Sequence, residues 1–389
     1  MKILIAIGVL RQQEAGAAGV ALNHARELEK RGHSVDCWFL EDVLPNATGA
    51  GRFDALAFAH RVAKKVLNDR QKYDVVNLHA PWGCIYGLRR RFFRPQGAPP
   101  YVFTMQGSEE RTVFTMSREY RLGRARNFSW KNRWWHRLYH QRMYDYSIRT
   151  ADYGAVANRE AWAMAQITHG RDPGCVWYVP NGTEDCFFVQ RDYARQESPR
   201  LLFVGSWIDR KGIYYLAEAF GLLCRAMPEV TLSIAGCMAT EDVVKNSFAQ
   251  EFRDRVRVIP FVKRQDMPAL YAAHDVFVFP SLVEGMPLTL LEAMATGMAI
   301  VTTEAPGMAD VIEDEFNGLL VQPADAQGLA AAIERLCRSA ELRRQFGQEA
   351  QRIARRYTWT IVTQKLERVL QLAERRGAAG AGKRDHGND

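Results

Sequence analysis

Two short segments hold the residues whose types and spacing could do chemistry. The first, Gly205-Ser206-Trp207-Ile208-Asp209-Arg210-Lys211-Gly212, directly follows an apolar run, Leu201 to Val204, and directly precedes a helix-period segment, Ile213 to Ala226. A loop between a strand and a helix aims backbone N–H groups at whatever lies above the sheet. Arg210 and Lys211 add two cations, so the matching ligand is an anion such as a diphosphate. The spacing is not that of a Walker loop. A basic pair at a turn can equally be no more than solvated.

The second segment runs from Pro280 to Gly297, PSLVEGMPLTLLEAMATG, and starts where another apolar strand ends. Pro287 suits the first position of a helix and Gly285 permits close backbone approach, so the N–H groups of Met286, Leu288 and Thr289 lie at a positive helix end. Glu284 precedes that helix and Glu292 lies about one and a half turns inside it. Both carboxylates can face one pocket, where Glu292 would suit a pair of vicinal hydroxyls. The alternative is a helix-start charge plus a surface Glu. Because Leu290, Leu291 and Met294 make the helix otherwise apolar, a buried Glu292 without a polar partner would be costly.

The elements that must position these loops follow from periodicity. In the first half, strand-like runs at Lys2–Ile7, Ser34–Phe39, Asp74–Leu78, Tyr101–Thr104, Tyr153–Ala157 and Cys175–Val179 alternate with helical segments, the clearest being Gly16–Arg31. In the second half, strands at Leu201–Val204, Thr231–Ala235, Val256–Ile259, Asp275–Phe279, Ala299–Thr302 and Gly318–Val321 alternate with helices at Ile213–Ala226, Asp266–Ala273, Pro287–Ala295 and Asp325–Cys337. Short, nearly all-apolar strands interleaved with helices predict doubly wound parallel sheets with both faces covered. The polar stretch 190–200 reads as a linker, which gives a domain over 1–189 and a second over 201–356. A last helix is expected over 357–376, and the low-complexity tail 377–389 is expected to be disordered. Two such domains place a cleft between the carboxyl ends of their sheets, where open α/β sheets bind ligands.

Composition excludes several classes. A chain of 389 residues, 47% hydrophobic and 25% charged, is globular, and no apolar run approaches the roughly 18 residues of a membrane span. The N-terminal run MKILIAIG reads as a strand, with too little charge and length for a secretory leader. Seven scattered cysteines with no C-x-x-C pair argue against a disulfide framework and against a zinc site, and point to a reducing cytoplasm.

The formal charge of +8 is concentrated. Residues 111–149 hold ten Arg or Lys against Glu119 and Asp145, a balance of +8 by themselves, together with nine aromatic residues that include Trp130, Trp134 and Trp135. Arg89-Arg90-Arg91-Phe92-Phe93-Arg94 forms a second basic group. Basic residues interleaved with aromatics suit an anionic membrane surface, nucleic acid or the sugar rings of an acceptor; a solvated helix packed by its aromatics is the plain alternative. Nucleic acid is disfavoured because no binding motif accompanies the charge.

The combination G-S-W-x-x-R-K-G followed by P-S-x-x-E-G-M-P-L-x-L-L-E-A-M-A-x-G, with seven residues between Glu284 and Glu292, resembles the retaining nucleotide-sugar glycosyltransferases of family 4, which have the GT-B fold. The resemblance extends over nearly the whole chain. Ala15-Gly16 with Gly32-His33 is similar to the family's first loop and helix, Val179-Pro180-Asn181-Gly182 to the segment closing its first domain, and Tyr357-Thr358-Trp359 to the point where a C-terminal helix crosses back to the N-terminal domain.

The resemblance implies two Rossmann-like domains facing a central cleft and a metal-independent glycosyltransferase of EC class 2.4, with no cofactor beyond its nucleotide-sugar donor, whose base, UDP or GDP, stays open. It implies that Arg210 and Lys211 hold the donor diphosphate and that Glu292 bonds the ribose. Glu284 with Gly285, Met286, Pro287 and Leu288 would border the sugar and β-phosphate. Gly205 and Ser206 would belong to the phosphate loop, and Gly16 would let the first loop approach from the other domain. Catalysis is thus assigned to Arg210, Lys211 and Glu284. Two positions depart from the pattern: Ala15 replaces a glycine, and Gln106 stands where many relatives have a histidine. Gln106 can bond a sugar hydroxyl but does not titrate. His79 faces the same presumed cleft or is a structural histidine.

The expected partners are a nucleotide sugar and a glycan or lipid-linked acceptor in cell-surface polysaccharide or glycolipid synthesis. The chain would sit in the cytoplasm, peripherally on the inner face of the membrane through residues 111–149. A catalytically silent relative that binds nucleotide sugar or membrane in an assembly complex is the alternative from another class. An epimerase would need titratable groups around the sugar, and a phosphorylase a cofactor lysine that nothing marks.

Overall fold

The structure, a computed structural model, describes all residues except 12–15, 48–52, 94, 126–133, 135, 194–198 and 383–389. The chain divides into two units: Met1–Glu110 with Trp130–Asn181 and Trp359–Asp389, and Arg111–Ser129 with Gly182–Thr358.

The first unit contains a six-stranded sheet of β1 (Lys2–Ala6), β2 (Ser34–Trp38), β3 (Val75–His79), β4 (Tyr101–Met105), β5 (Tyr153–Val156) and β6 (Val176–Tyr178), in the order β2-β1-β3-β4-β5-β6 and parallel throughout. Alternate side chains of β1 serve opposite cores, as period 2 requires. Ile3 and Ile5 pack with Ala21, Leu28, Val369 and Leu370, under the helices Gly16–Lys30 and Trp359–Gly382. Leu4 and Ala6 pack with Phe58, Val62, Phe103 and Ile148 on the other face. Polar contacts pin the C-terminal helix: Glu367 accepts from Arg31 Nε at 2.6 Å and lies 2.8 Å from His33 Nε2, while His24 Nδ1 lies 2.9 Å from Thr363 Oγ1. That helix continues to Gly382, so residues 377–382 of the stretch expected to be disordered are helical. Propagation adds a backbone hydrogen bond per residue to a helix already anchored by packing, which carries it into this stretch against the cost of three glycines.

The second unit carries β7 (Arg200–Val204), β8 (Thr231–Ala235), β9 (Val256–Ile259), β10 (Val276–Phe279), β11 (Ala299–Thr303) and β12 (Leu319–Val321), in the order β12-β11-β10-β7-β8-β9, again parallel. The chain runs outward from β7 in one direction and restarts at β10 in the other. The crevice at that reversal, at the carboxyl ends of β7 and β10, is where a doubly wound sheet receives ligands. The loops that follow these strands are Gly205–Gly212 and Pro280–Pro287, the two segments singled out by their chemistry.

Two stretches group differently from the expected boundaries. Tyr193 Oη donates to the Gly297 carbonyl at 2.9 Å and Gln351 Nε2 to the Val189 carbonyl at 2.9 Å, so the start of the expected linker is held on the second unit. The basic stretch 111–149 is shared, its part up to Ser129 grouping with the second unit. Glu119, 2% exposed, accepts from Tyr215 Oη at 2.8 Å, and the Arg124 guanidinium covers the Tyr215 ring at 4.8 Å. A buried carboxylate needs such partners, and the second unit supplies them. No helix among the described residues is long and apolar enough to cross a membrane.

Candidate active site

The two loops of the second unit are bound to each other. Leu282 N–H donates to the Arg210 carbonyl at 2.9 Å. Gly212 has φ +71°, and a Cβ there would stand 2.0 Å from the Pro280 carbonyl oxygen. Gly212→Ala should therefore cost at least about 2 kcal/mol, from the left-handed backbone plus a contact that backbone cannot vacate. Chemical denaturation checks this: the midpoint falls while the slope with denaturant stays unchanged. Gly307 packs in the same way on the Gly285 carbonyl.

Glu284 is the centre of the cluster. Its Oε1 is 2.7 Å from Lys211 Nζ and accepts from Arg210 Nη1 at 3.0 Å and from Ser281 Oγ at 3.1 Å. Burial pushes the Glu284 carboxyl up, but Lys211 and then Arg210 outweigh it and hold it below the usual glutamate range. Burial likewise draws Lys211 down, against the pull of Glu284. Two cations and one anion leave one net positive charge. Lys211 is nearly enclosed, with its ammonium 4.7 Å above the Phe279 ring, whereas the Arg210 side chain is 40% exposed and is the member that can reach outward.

The backbone of the first loop is more occupied than its sequence suggests. The N–H groups of Gly205 and Trp207 donate to the carbonyls of Ala235 and Cys237, those of Ile208, Lys211 and Gly212 to carbonyls within the loop. Anion recognition there rests on side chains, with Gly205 and Ser206 half-buried beside them. The second loop ends at Pro287, which has extended backbone and stands before the helix rather than in it; the helix spans Leu288–Ala295. The N–H groups of Leu288, Thr289 and Leu290 thus form its positive end.

Glu292 has partners that spacing did not reveal. It is 2% exposed, accepts from Arg264 Nη1 at 2.5 Å and from Tyr271 Oη at 2.8 Å. Arg264 also reaches Glu184 at 3.2 Å and covers the Phe187 ring at 4.7 Å. Burial lowers the Arg264 pKa, but Glu292 and then Glu184 reverse that and raise it. Burial and then Glu292 raise that of the Tyr271 hydroxyl. The sequence signal for Arg264 is only a basic pair, Lys263-Arg264, in the loop after β9; nothing in its spacing points to Glu292.

In the first unit, Gly16 is exposed at φ +57° at the start of its helix, and Ala15 lies outside the described residues. Gln106 is half-buried and lines a small cavity with His24, Asn77, His79 and Thr104. His79 is 4% exposed, and burial lowers its pKa to about 4. Burial, with a contribution from His79, lowers that of His24 to about 3. Both folded values lie below the ordinary 6.5, so between about pH 6.5 and pH 3 to 4 the unfolded chain binds protons that the folded chain refuses. Stability should be intact above pH 6.5 and fall below it by up to roughly 1.4 kcal/mol per pH unit for each histidine. Thermal unfolding at pH 7.0, 5.5 and 4.5 tests this, and a His24→Asn/His79→Asn variant should show a distinctly shallower dependence.

Residues 188–353 match the family model described as glycosyl transferases group 1. The phosphatidyl-myo-inositol mannosyltransferase of Mycolicibacterium smegmatis is 29% identical over 216 residues, covering 53% of this chain and 55% of that protein. The chain spans about half the length of the curated relatives it matches. Among solved structures, a sucrose-phosphate synthase from Thermosynechococcus elongatus superposes with a TM-score of 0.77 at 19% identity, covering 97% of this chain and all of that one. Anabaena HepE, solved with UDP and glucose, gives 0.68 at 19% identity over 95% of this chain and 99% of its own. These likenesses establish the GT-B fold.

Proposed function

We propose that this chain, whose residues 188–353 match the family model described as glycosyl transferases group 1, is a retaining glycosyltransferase that moves a sugar from a nucleotide-sugar donor to a hydroxyl of a glycan or lipid-linked acceptor. The observation that carries this reading is the cluster of Arg210, Lys211 and Glu284 at the switch point of β7 and β10, a net positive group at the place where such a sheet takes a ligand. A UDP complex of a protein with the same fold and a relative named as a mannosyltransferase of phosphatidyl-myo-inositol support a nucleotide-sugar donor and a glycolipid or polysaccharide product.

In the reaction, the bond from the sugar's anomeric carbon to the β-phosphate oxygen breaks and its electron pair passes to that oxygen. The acceptor hydroxyl attacks on the same face and gives its proton to the departing phosphate. Arg210 and Lys211 stabilise the charge that develops there, the role a metal ion plays in other sites, so no metal is required for this step. Glu284 keeps Lys211 aimed and, with Gly285, Met286, Pro287 and Leu288, borders the sugar and β-phosphate. Glu292 with Arg264 forms the ribose side, two of the carboxylate's lone-pair positions being left after its present bonds.

A thermal-shift panel of UDP-, GDP- and ADP-sugars tests the reading, since a donor at a hundred times its Kd should stabilise the fold by about 2.7 kcal/mol. No shift with any nucleotide sugar would overturn it. Binding without release of nucleoside diphosphate in the presence of acceptor would favour the silent relative instead.

We place the reaction at the cytoplasmic face of an anionic membrane. In the first domain, Phe92 and Phe93 are 73% and 79% exposed beside the exposed Arg91, and Trp134 and Leu138 are also open to solvent. Apolar side chains next to cations are the pattern of an interfacial surface. Co-sedimentation with anionic vesicles, lost on Phe92→Ser/Phe93→Ser and in neutral vesicles, is the expected result; equal binding to both lipids would refute the placement.

A further inference from the structure

Glu109, His136 and His140 bring three metal-ligating atoms together in the first domain, and none of the three has a part in the reaction proposed above. Glu109 opens the helix Glu109–Arg121, and the two histidines begin and end a single π-helical turn, His136–His140. Four positions apart on such a turn, they share one face. Nδ1 of His136 is 3.2 Å and Nδ1 of His140 is 3.3 Å from the same oxygen, Glu109 Oε1. One ligand atom from each residue lies within 4.8 Å of the others.

These separations have a chemical meaning. Two donors bound about 2.0–2.2 Å from one ion at a tetrahedral angle stand roughly 3.4 Å apart. Both glutamate–histidine edges have that length. Two imidazoles converge on one carboxylate oxygen with ring centroids 5.2 Å apart, and with both rings charged the group would set like charges side by side. A cation held among two neutral imidazoles and a carboxylate satisfies all three groups at once. The side chains are 31%, 26% and 19% exposed for His136, His140 and Glu109, which leaves a path for an ion and an open coordination position.

We propose that Glu109, His136 and His140 bind a divalent transition-metal ion of the zinc class, with solvent completing the coordination. The site has a structural logic. The chain groups with the second unit from Arg111 to Ser129, and the ligands stand just before that excursion and shortly after it. An ion would tie the start of the helix Glu109–Arg121 to the turn His136–His140. The scattered cysteines, which speak against a thiolate zinc site, have no bearing on this one, because its ligands are imidazole and carboxylate.

The 389-residue chain, stripped with EDTA and dialysed against Zn2+, should retain one equivalent, and added Zn2+ should raise its Tm. His140→Ala and Glu109→Gln should each weaken Zn2+ binding by more than about a hundredfold, the upper range for disturbing even an outer-sphere partner. Their circular dichroism in EDTA should match the parent; if His140→Ala does not fold, Glu109→Gln decides. Co2+ should bind without a thiolate-to-cobalt charge-transfer band. No bound equivalent in the parent, unchanged affinity in the folded variants, or a charge-transfer band placing the ion on cysteines would each overturn the proposal.

Discussion

Replacing Lys211 by alanine is expected to lower turnover by about a hundred- to a thousandfold, the cost of removing one preorganised group that stabilises charge in a transition state, and to weaken nucleoside diphosphate binding. The side chain is 12% exposed and its ammonium is fixed from two sides, by Glu284 at 2.7 Å and by the Phe279 ring. A group held this way needs no reorganisation as charge appears on the leaving phosphate, and a low-dielectric setting strengthens its effect. The variant should also lose about 3 kcal/mol of stability, because Glu284, 9% exposed, keeps only Arg210 and Ser281. Arg210→Ala gives a useful contrast: its more exposed side chain should matter for donor affinity with little loss of stability. Steady-state kinetics, calorimetric titration with nucleoside diphosphate and denaturation of the two variants check these outcomes. Unchanged affinity in Lys211→Ala would remove the phosphate-site assignment.

The second large effect is expected at Arg264. Arg264→Ala should destabilise the fold by about 3–5 kcal/mol, since it strands a carboxylate that is 2% exposed with Tyr271 as its remaining partner. Glu184 loses its arginine as well and keeps only the weak Cys186 thiol donor. Tyr271→Phe removes one hydrogen bond from the same carboxylate and should cost about 1–3 kcal/mol. Arg264→Met/Glu292→Met, which removes both charges and keeps apolar volume, should recover much of the stability lost by Arg264→Ala while leaving nucleotide affinity impaired. That split between stability and binding separates a purely structural Glu292 from one that also meets the ribose. Thermal unfolding and nucleotide titration of the three variants decide the matter.

The legible parts of this protein are those governed by short-range rules. Each of the twelve strands among the described residues coincides to within a residue or two with an apolar run of the sequence, because a parallel strand covered on both faces must be a short apolar run, and the turns between carry glycine, proline and charge. The loop Gly205–Gly212 and the block Pro280–Gly297 stood out for the same reason: backbone constraints and charge lie close together in sequence. Which partners those residues take was not legible. Arg264 meets Glu292 across 28 positions, Tyr215 meets Glu119 across 96, and Glu109 meets His136 and His140 from a different helix. No local period encodes such pairs.

The basic stretch shows the same division. Composition alone locates the whole formal charge in residues 111–149, yet it does not show that Glu119 within it is buried against a hydroxyl from the helix Ile213–Ala226. By itself the amino-acid sequence determined the alternation of strands and helices, the GT-B architecture it resembles, and the two loops able to hold an anion. Only the tertiary structure decided that Glu284 binds both cations, that Glu292 is buried against Arg264 and Tyr271, and that a carboxylate and two imidazoles converge at Glu109. The reason is physical: secondary structure follows from neighbours along the chain, whereas charge pairing and ligand geometry follow from neighbours in space, which exist only once the sheets have formed.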